Sequence, residues 1–179
     1  VTNVAFSRPI RWLLAIVGLA AGDGEIEFQV VPFEYAGLQS GNTTRGLRFL
    51  QPHEQAIGSP VEYFAFLEGQ GILLDSEQRK QAIVSQVTSL AEQVGGRVKD
   101  DPALLAEVTN LVEAPTALRG TFSADHLKLP GEVLISVMKK HQRYFPVYAA
   151  SQGSASDEAL LPSFIAVRNG DDFGLEVVT

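Results

Sequence analysis

The feature that most constrains this chain is a stretch where a helical pattern passes almost directly into a strand pattern, Pro130 to Tyr148, PGEVLISVMKKHQRYFPVY. Pro130 suits a helix start, where its fixed φ and missing N–H do no harm. Val133, Leu134, Val137 and Met138 recur at helical spacing. From Arg143 to Tyr148 the residues favour a strand, which Pro146 restricts to an edge or a bulge. At ~100° per residue, Val133, Leu134, Ile135, Val137 and Met138 fill one arc of the helix, and His141 falls near its middle. His141 is therefore expected to point coreward, as a buried or half-buried histidine with a hydrogen-bond partner rather than as a catalytic or ligand group. Ser136, Lys139, Lys140 and Arg143 share the remaining arc as a basic outer face. Such cations suit a phosphate contact, or simply a helix C-terminus whose dipole attracts them.

Upstream, RWLLAIVGL is nearly continuously apolar, Gly22-Asp23-Gly24 turns the chain, and Ile26, Phe28 and Val30 then alternate with Glu27 and Gln29. Two strands around a Gly/Asp turn predict a hairpin. Glu34 to Pro52 lacks sustained periodicity and reads as a long loop, in which Arg45 and Arg48 flank Gly46. Guanidinium forks on a glycine loop suit phosphate or carboxylate groups, and each could equally pair with an acid of this chain. Three helix starts follow. Ser59-Pro60 with Glu62 forms a capping signal, and Gly69 or Gly71 ends that helix. A second begins near Asp75, carries the stripe Ile83, Val87, Leu90, Ala91 and Val94, and stops at Gly95-Gly96. Its Arg79 and Lys80 sit at the end where the dipole disfavours cations, and are expected to snorkel. Asp101-Pro102 caps a third, with Leu104, Leu105, Val108, Leu111 and Val112 as its buried face and Pro115 as its stop. TALRGTF and Ser163 to Val167 read as strands, and Ser151 to Glu158 as a polar loop. No internal repeat or composition break appears, so 1–179 is taken as a single domain. The fold class expected is α+β, with a mixed, largely antiparallel sheet flanked by about four helices.

Several chemistries are absent. There is no cysteine, hence no disulfide and no thiolate chemistry. No GxxxxGK[ST], GxGxxG or GxSxG motif occurs, and His53, His126 and His141 lack metal-ligand spacing. Asp100 and Asp101 serve better as a helix cap than as an acid/base pair. The net charge of −7 and pI near 4.9 oppose indiscriminate nucleic-acid binding, although a local basic face can still meet phosphates. No apolar run reaches the ~20 residues that span a bilayer, so no membrane contact is expected. An initial Val and a lone Met at 138 suit a section of a longer protein. From the residues alone the reading stops at a binding or interaction domain with a basic face.

Five motifs in order extend that reading: FSRPIRW at 6–12, TRGLRFL at 44–50, EVTNLVEAP at 107–115, MKKHQRYFPV at 138–147 and LLPSFIAV at 160–167. Together they resemble the β subunit of the bacterial-type heterotetrameric glycyl-tRNA synthetase, over nearly the whole of this chain but only an internal section of that subunit. The resemblance implies a domain similar to the B3/B4 module of the phenylalanyl-tRNA synthetase β subunit. It implies a cytoplasmic α2β2 ligase in which ATP and glycine bind at the α subunit, so that this section carries no cofactor, metal or catalytic residue. The partners it implies are the α subunit, the remainder of β and tRNA(Gly). The section then supports glycine attachment by tRNA contact or scaffolding. The tRNA-contact candidates are Arg45, Arg48, Lys139, Lys140 and Arg143, with Arg8, Arg11 and Gln142 as weaker ones. On the contact reading, charge reversal of Arg45 and Arg48 weakens tRNA binding by the whole enzyme. The family commonly has RGHRF where this chain has Arg45-Gly46-Leu47-Arg48-Phe49, so a role for that histidine does not carry over. A hydrolytic, editing-like domain and a purely structural interface domain are the alternatives. His141 and Gln142 are the only candidates for editing chemistry, and glycine, the smallest amino acid, gives a synthetase little need of it.

Overall fold

The computed structural model describes residues 10–22, 24–48, 50–150 and 159–170. It divides into two compact units, Val1–Ile72 and Leu73–Thr179. Both mix helices with mainly antiparallel strands, so the α+β class holds, with four α-helices among the described residues.

The first unit is assembled from short strands. These are β1 (Leu13–Leu14), β2 (Ile16–Ala20), β3 (Ile26–Val30), β4 (Glu34–Tyr35), β5 (Leu38–Gly41), β6 (Thr43–Thr44) and β7 (Gln55–Ala56), followed by α1 (Pro60–Gly69). The predicted hairpin is present as β2–β3, antiparallel from Ile16↔Val30 to Ala20↔Ile26. The stretch read as one long loop is more ordered than expected. Ala36 and Gly37 both take positive φ, 53° and 79°, which is the two-residue turn that matches strand twist, and it joins β4 to β5. β5 also pairs in parallel with β1, and β6 pairs with β7. Ser59 caps α1 by accepting from the Glu62 N–H at 3.2 Å, while the Glu62 carboxylate reaches back to the Gly58 N–H at 2.7 Å. Gly71, at φ 72°, carries the chain out of the helix, as the glycines predict.

The second unit holds the main core. It contains α2 (Ser76–Glu92), β8 (Gly96–Val98), α3 (Pro102–Leu111), β9 (Pro115–Thr121), a 3-10 turn (Ala124–Lys128), α4 (Gly131–Ser136), a π-helical turn (Val137–Gln142), β10 (Phe145–Ala149) and β11 (Leu160–Asn169). Its four strands run in the order β8-β10-β11-β9, all antiparallel. Phe145, Val147 and Ile165 present one face of this sheet to Ile83, Val87 and Ala91 of α2 and to Leu104, Val108 and Val112 at α3. Each fully buried aliphatic side chain there stabilises the fold by about 1.5–3 kcal/mol. The predicted α2 stripe is this core. α3 departs from its predicted face: Leu111 is exposed, whereas Thr109 is buried and returns its hydroxyl to the Leu105 carbonyl at 2.7 Å. Pro146 is buried, pairs with Phe164 of β11 at a register shift of β10 and lies beyond the last residue paired with β8, so the proline sits at an irregularity of the ladder.

Candidate functional site

The segment Pro130 to Gln142 does not fold as a single α-helix. The α-helical turns stop at Ser136, and Val137–Gln142 is wound as a π-helix. With i→i+5 bonding the residues advance by less than 100° each, so the predicted arc fails over its second half. Met138 is the one buried member; Val133 and Val137 are exposed. His141 is exposed as well, against the expectation that it faces the core. Gln142 is also exposed.

The winding ends at Arg143, which adopts the left-handed conformation at φ 56°, a strained position for a residue with a Cβ. Its guanidinium compensates. Nη1 donates to the Lys140 carbonyl at 2.6 Å and Nε to the Glu107 carboxylate at 2.7 Å. Arg143 thus closes its own helix and ties it to α3. Lys139 is bound in a comparable way. Its ammonium lies 2.8 Å from the Asp101 carboxylate, the cap of α3, which also accepts from the Leu104 N–H at 3.0 Å. The Leu104 N–H, followed by the Lys139 bond, holds the Asp101 carboxyl below the ordinary carboxylate range. Lys140 is exposed, and its ammonium has no partner among the described residues. Lys139 and Lys140 line a cleft of about 530 Å³ together with Asp101, Glu107 and Glu132, so acids outnumber bases in it.

In the first unit the Arg45 guanidinium pairs with Glu54 at 2.9 Å and lies over the Trp12 ring, 5.5 Å from its centroid. Arg11 lies over the same ring at 5.8 Å. Trp12 therefore gathers two of the candidates, and Arg48 is exposed nearby in sequence. Arg8 lies outside the described residues.

The loop that carries Arg45 and Arg48 is held by a residue the sequence did not single out. Gln70 is buried at 5% exposure; its Oε1 accepts from the Leu47 N–H at 3.1 Å and its Nε2 donates to the Gln51 carbonyl at 3.3 Å. Gly46 is required there, because a Cβ would collide with the Gln70 side chain. Two other amides act alike. Gln86 bonds the Ala117 N–H at 2.8 Å and the Pro115 carbonyl at 3.1 Å, and Asn169 accepts from the Glu113 and Ala114 N–H groups, both at 2.8 Å. Arg79 does not snorkel: its guanidinium donates to the carbonyls of Leu73, Leu74 and Thr109. A mid-sequence Gln, Asn or Arg adjoining an apolar stripe is the only sequence signal for such roles.

Among the described residues no group of three or more His, Cys, Asp or Glu side chains is placed to hold a metal ion, and no helix is long and apolar enough to cross a membrane. A second cleft of about 250 Å³ is lined by Ile83, Val87, Leu105 and Phe145 together with the polar Lys80, Thr88, Lys99, Asp100 and Asp101.

All 179 residues match the model of the glycyl-tRNA synthetase beta subunit family. The chain belongs to that family. It is 48% identical over 177 residues to the glycine–tRNA ligase beta subunit of Desulforamulus reducens, and 47% identical over 177 residues to that of Moorella thermoacetica. It is 43% identical over 176 residues to the beta subunit of Listeria welshimeri. These alignments cover 98–99% of this chain and 23% of each relative, so the chain spans about a quarter of the length of the β subunits it matches.

Proposed function

We propose that this chain is a scaffolding section of a glycine–tRNA ligase β subunit, supporting attachment of glycine to tRNA(Gly) without an active site of its own. The observation that carries this reading is the internal compensation of its cations. Arg45, Lys139 and Arg143 are each committed to a carboxylate of this same chain, Glu54, Asp101 and Glu107. Two of those bonds join separate elements, so the basic residues act as ties between α3 and the segment after it. In this reading the ATP and glycine chemistry lies in the α subunit, and the fold follows the B3/B4-like plan that the resemblance implies. Among the described residues, exposed His141 and Gln142 have no side-chain hydrogen-bond or ion-pair partner, which disfavours editing chemistry.

A tRNA contact is the second reading, and Lys140 favours it, as does the Trp12 ring flanked by Arg11 and Arg45. Scaffolding is tested in the assembled α/β enzyme. The double variant His141→Ala/Gln142→Ala should keep aminoacylation within twofold of wild type. Val147→Asp, which places a charge in the fully buried core, should lower the yield of assembled enzyme and its activity together. A Val147→Asp enzyme that assembles and aminoacylates normally would remove the scaffolding claim.

A further inference from the structure

The β2–β3 hairpin is amphipathic, yet its apolar side faces solvent. Register places Ile16, Gly18 and Ala20 beside Val30, Phe28 and Ile26 on one face, and Val17 and Leu19 beside Gln29 and Glu27 on the other. Such alternation ordinarily marks a half-buried sheet. Here Ile26 is 63% exposed, Phe28 38% and Val30 41%, and none of the ten strand residues is buried. The face is shaped as a contact surface. A Cβ at Gly18 would fall 2.8 Å from Ile26 and 2.9 Å from the Phe28 ring, so the missing side chain lets both lie flat across the strand. Phe33, beyond the hairpin, adds a further exposed ring. The whole unit shares the imbalance: four large apolar residues are buried, and ten are exposed, among those described.

Charge and size limit what could cover this face. From Leu13 to Thr44 the sequence carries Asp23, Glu25, Glu27 and Glu34 and no Lys or Arg, which repels a phosphate backbone. Two five-residue strands offer a footprint of only about 170 Å² by strand spacing and rise. A stable complex between separate chains needs about 800 Å² per partner. A patch this small is sufficient when its partner is covalently attached, because the linker supplies a high local concentration. The matched relatives extend well beyond the aligned region, which is 23% of their length.

We infer that the apolar face of the β2–β3 hairpin docks against another section of the same β polypeptide, on an apolar surface edged by Lys or Arg. The inference rests on the reading of this chain as part of a full β subunit. It does not depend on whether that subunit's role here is scaffolding or tRNA contact. The test uses the full-length β subunit assembled with α, with benzoyl-phenylalanine at position 28 in place of Phe28, and a mixture of isotopically heavy and light β. Irradiation should link residue 28 to β residues outside this sequence, with both linked peptides from the same isotopic chain. Links to α, to the other β copy or to tRNA, or no link from residue 28 or from the same probe at position 26, would overturn it. In the same enzyme Ile26→Asp/Phe28→Asp should speed amide exchange across residues 16–30 at least tenfold and leave residues 96–149 unchanged. A wild-type hairpin that already exchanges at the unprotected rate would also overturn it.

Discussion

Gln70→Met isolates the bonds that hold the arginine loop. Methionine keeps nearly the volume of glutamine, so the packing over Gly46 is retained and only the polar contacts are lost. The Leu47 N–H, in a residue only 8% exposed, would then lose its acceptor, and an orphaned buried donor costs about 1–3 kcal/mol. Loss of the longer 3.3 Å bond to the Gln51 carbonyl adds about 0.5–1 kcal/mol. A total near 2–3 kcal/mol would lower a urea midpoint by about 1–2 M at the slopes usual for small domains. Trp12 is the sole tryptophan and belongs to the same unit, so its fluorescence reports this transition in the 179-residue chain. Gln70→Glu should fall similarly at neutral pH, since its carboxylate would face the Gln51 carbonyl. A Gln70→Met midpoint within about 0.2 M of wild type, or a loss below about 0.5 kcal/mol, would refute the assignment of Gln70 as the anchor of this loop.

Two further outcomes concern the second unit. Arg79→Met removes a guanidinium from the Leu73, Leu74 and Thr109 carbonyls, and should cost about 2–3 kcal/mol in thermal or urea unfolding; a snorkelling arginine would cost almost nothing. Asp101 has a folded pKa below its unfolded value, so its stabilisation is present above about pH 4 and is lost as pH falls through the folded value. Asp101→Asn keeps a helix cap and should flatten the stability profile below about pH 4, which acid titration by circular dichroism would check.

The sequence disclosed most where one physical rule governs a segment. The α2 stripe, the caps at Ser59, Asp75 and Asp101, and the β2–β3 hairpin all follow from periodicity or capping, and all occur. It disclosed least where geometry departs from the assumed period. A π-helical turn after Ser136 moves His141 from the expected core side to solvent, and no residue in VMKKHQ announces that change. The cations were legible as a group, but their partners were not. Glu107 and Asp101 lie more than thirty residues before Arg143 and Lys139, and such pairings depend on the packing of α3. The amides of Gln70, Gln86 and Asn169 were silent for the same reason, since their partners are backbone groups brought close only by tertiary structure.

The central claim, a scaffold in which Arg45, Lys139 and Arg143 are spent on carboxylates of the same chain, meets its most direct test in the salt dependence of tRNA(Gly) binding by the assembled enzyme. The variant is Arg45→Glu/Arg48→Glu/Lys140→Glu, read against wild type over a range of salt concentrations. Scaffolding predicts affinity within about twofold and an unchanged slope of log K against log salt. A tenfold or greater loss, with the slope reduced by about two to three, would show these cations neutralising phosphates and would contradict the account.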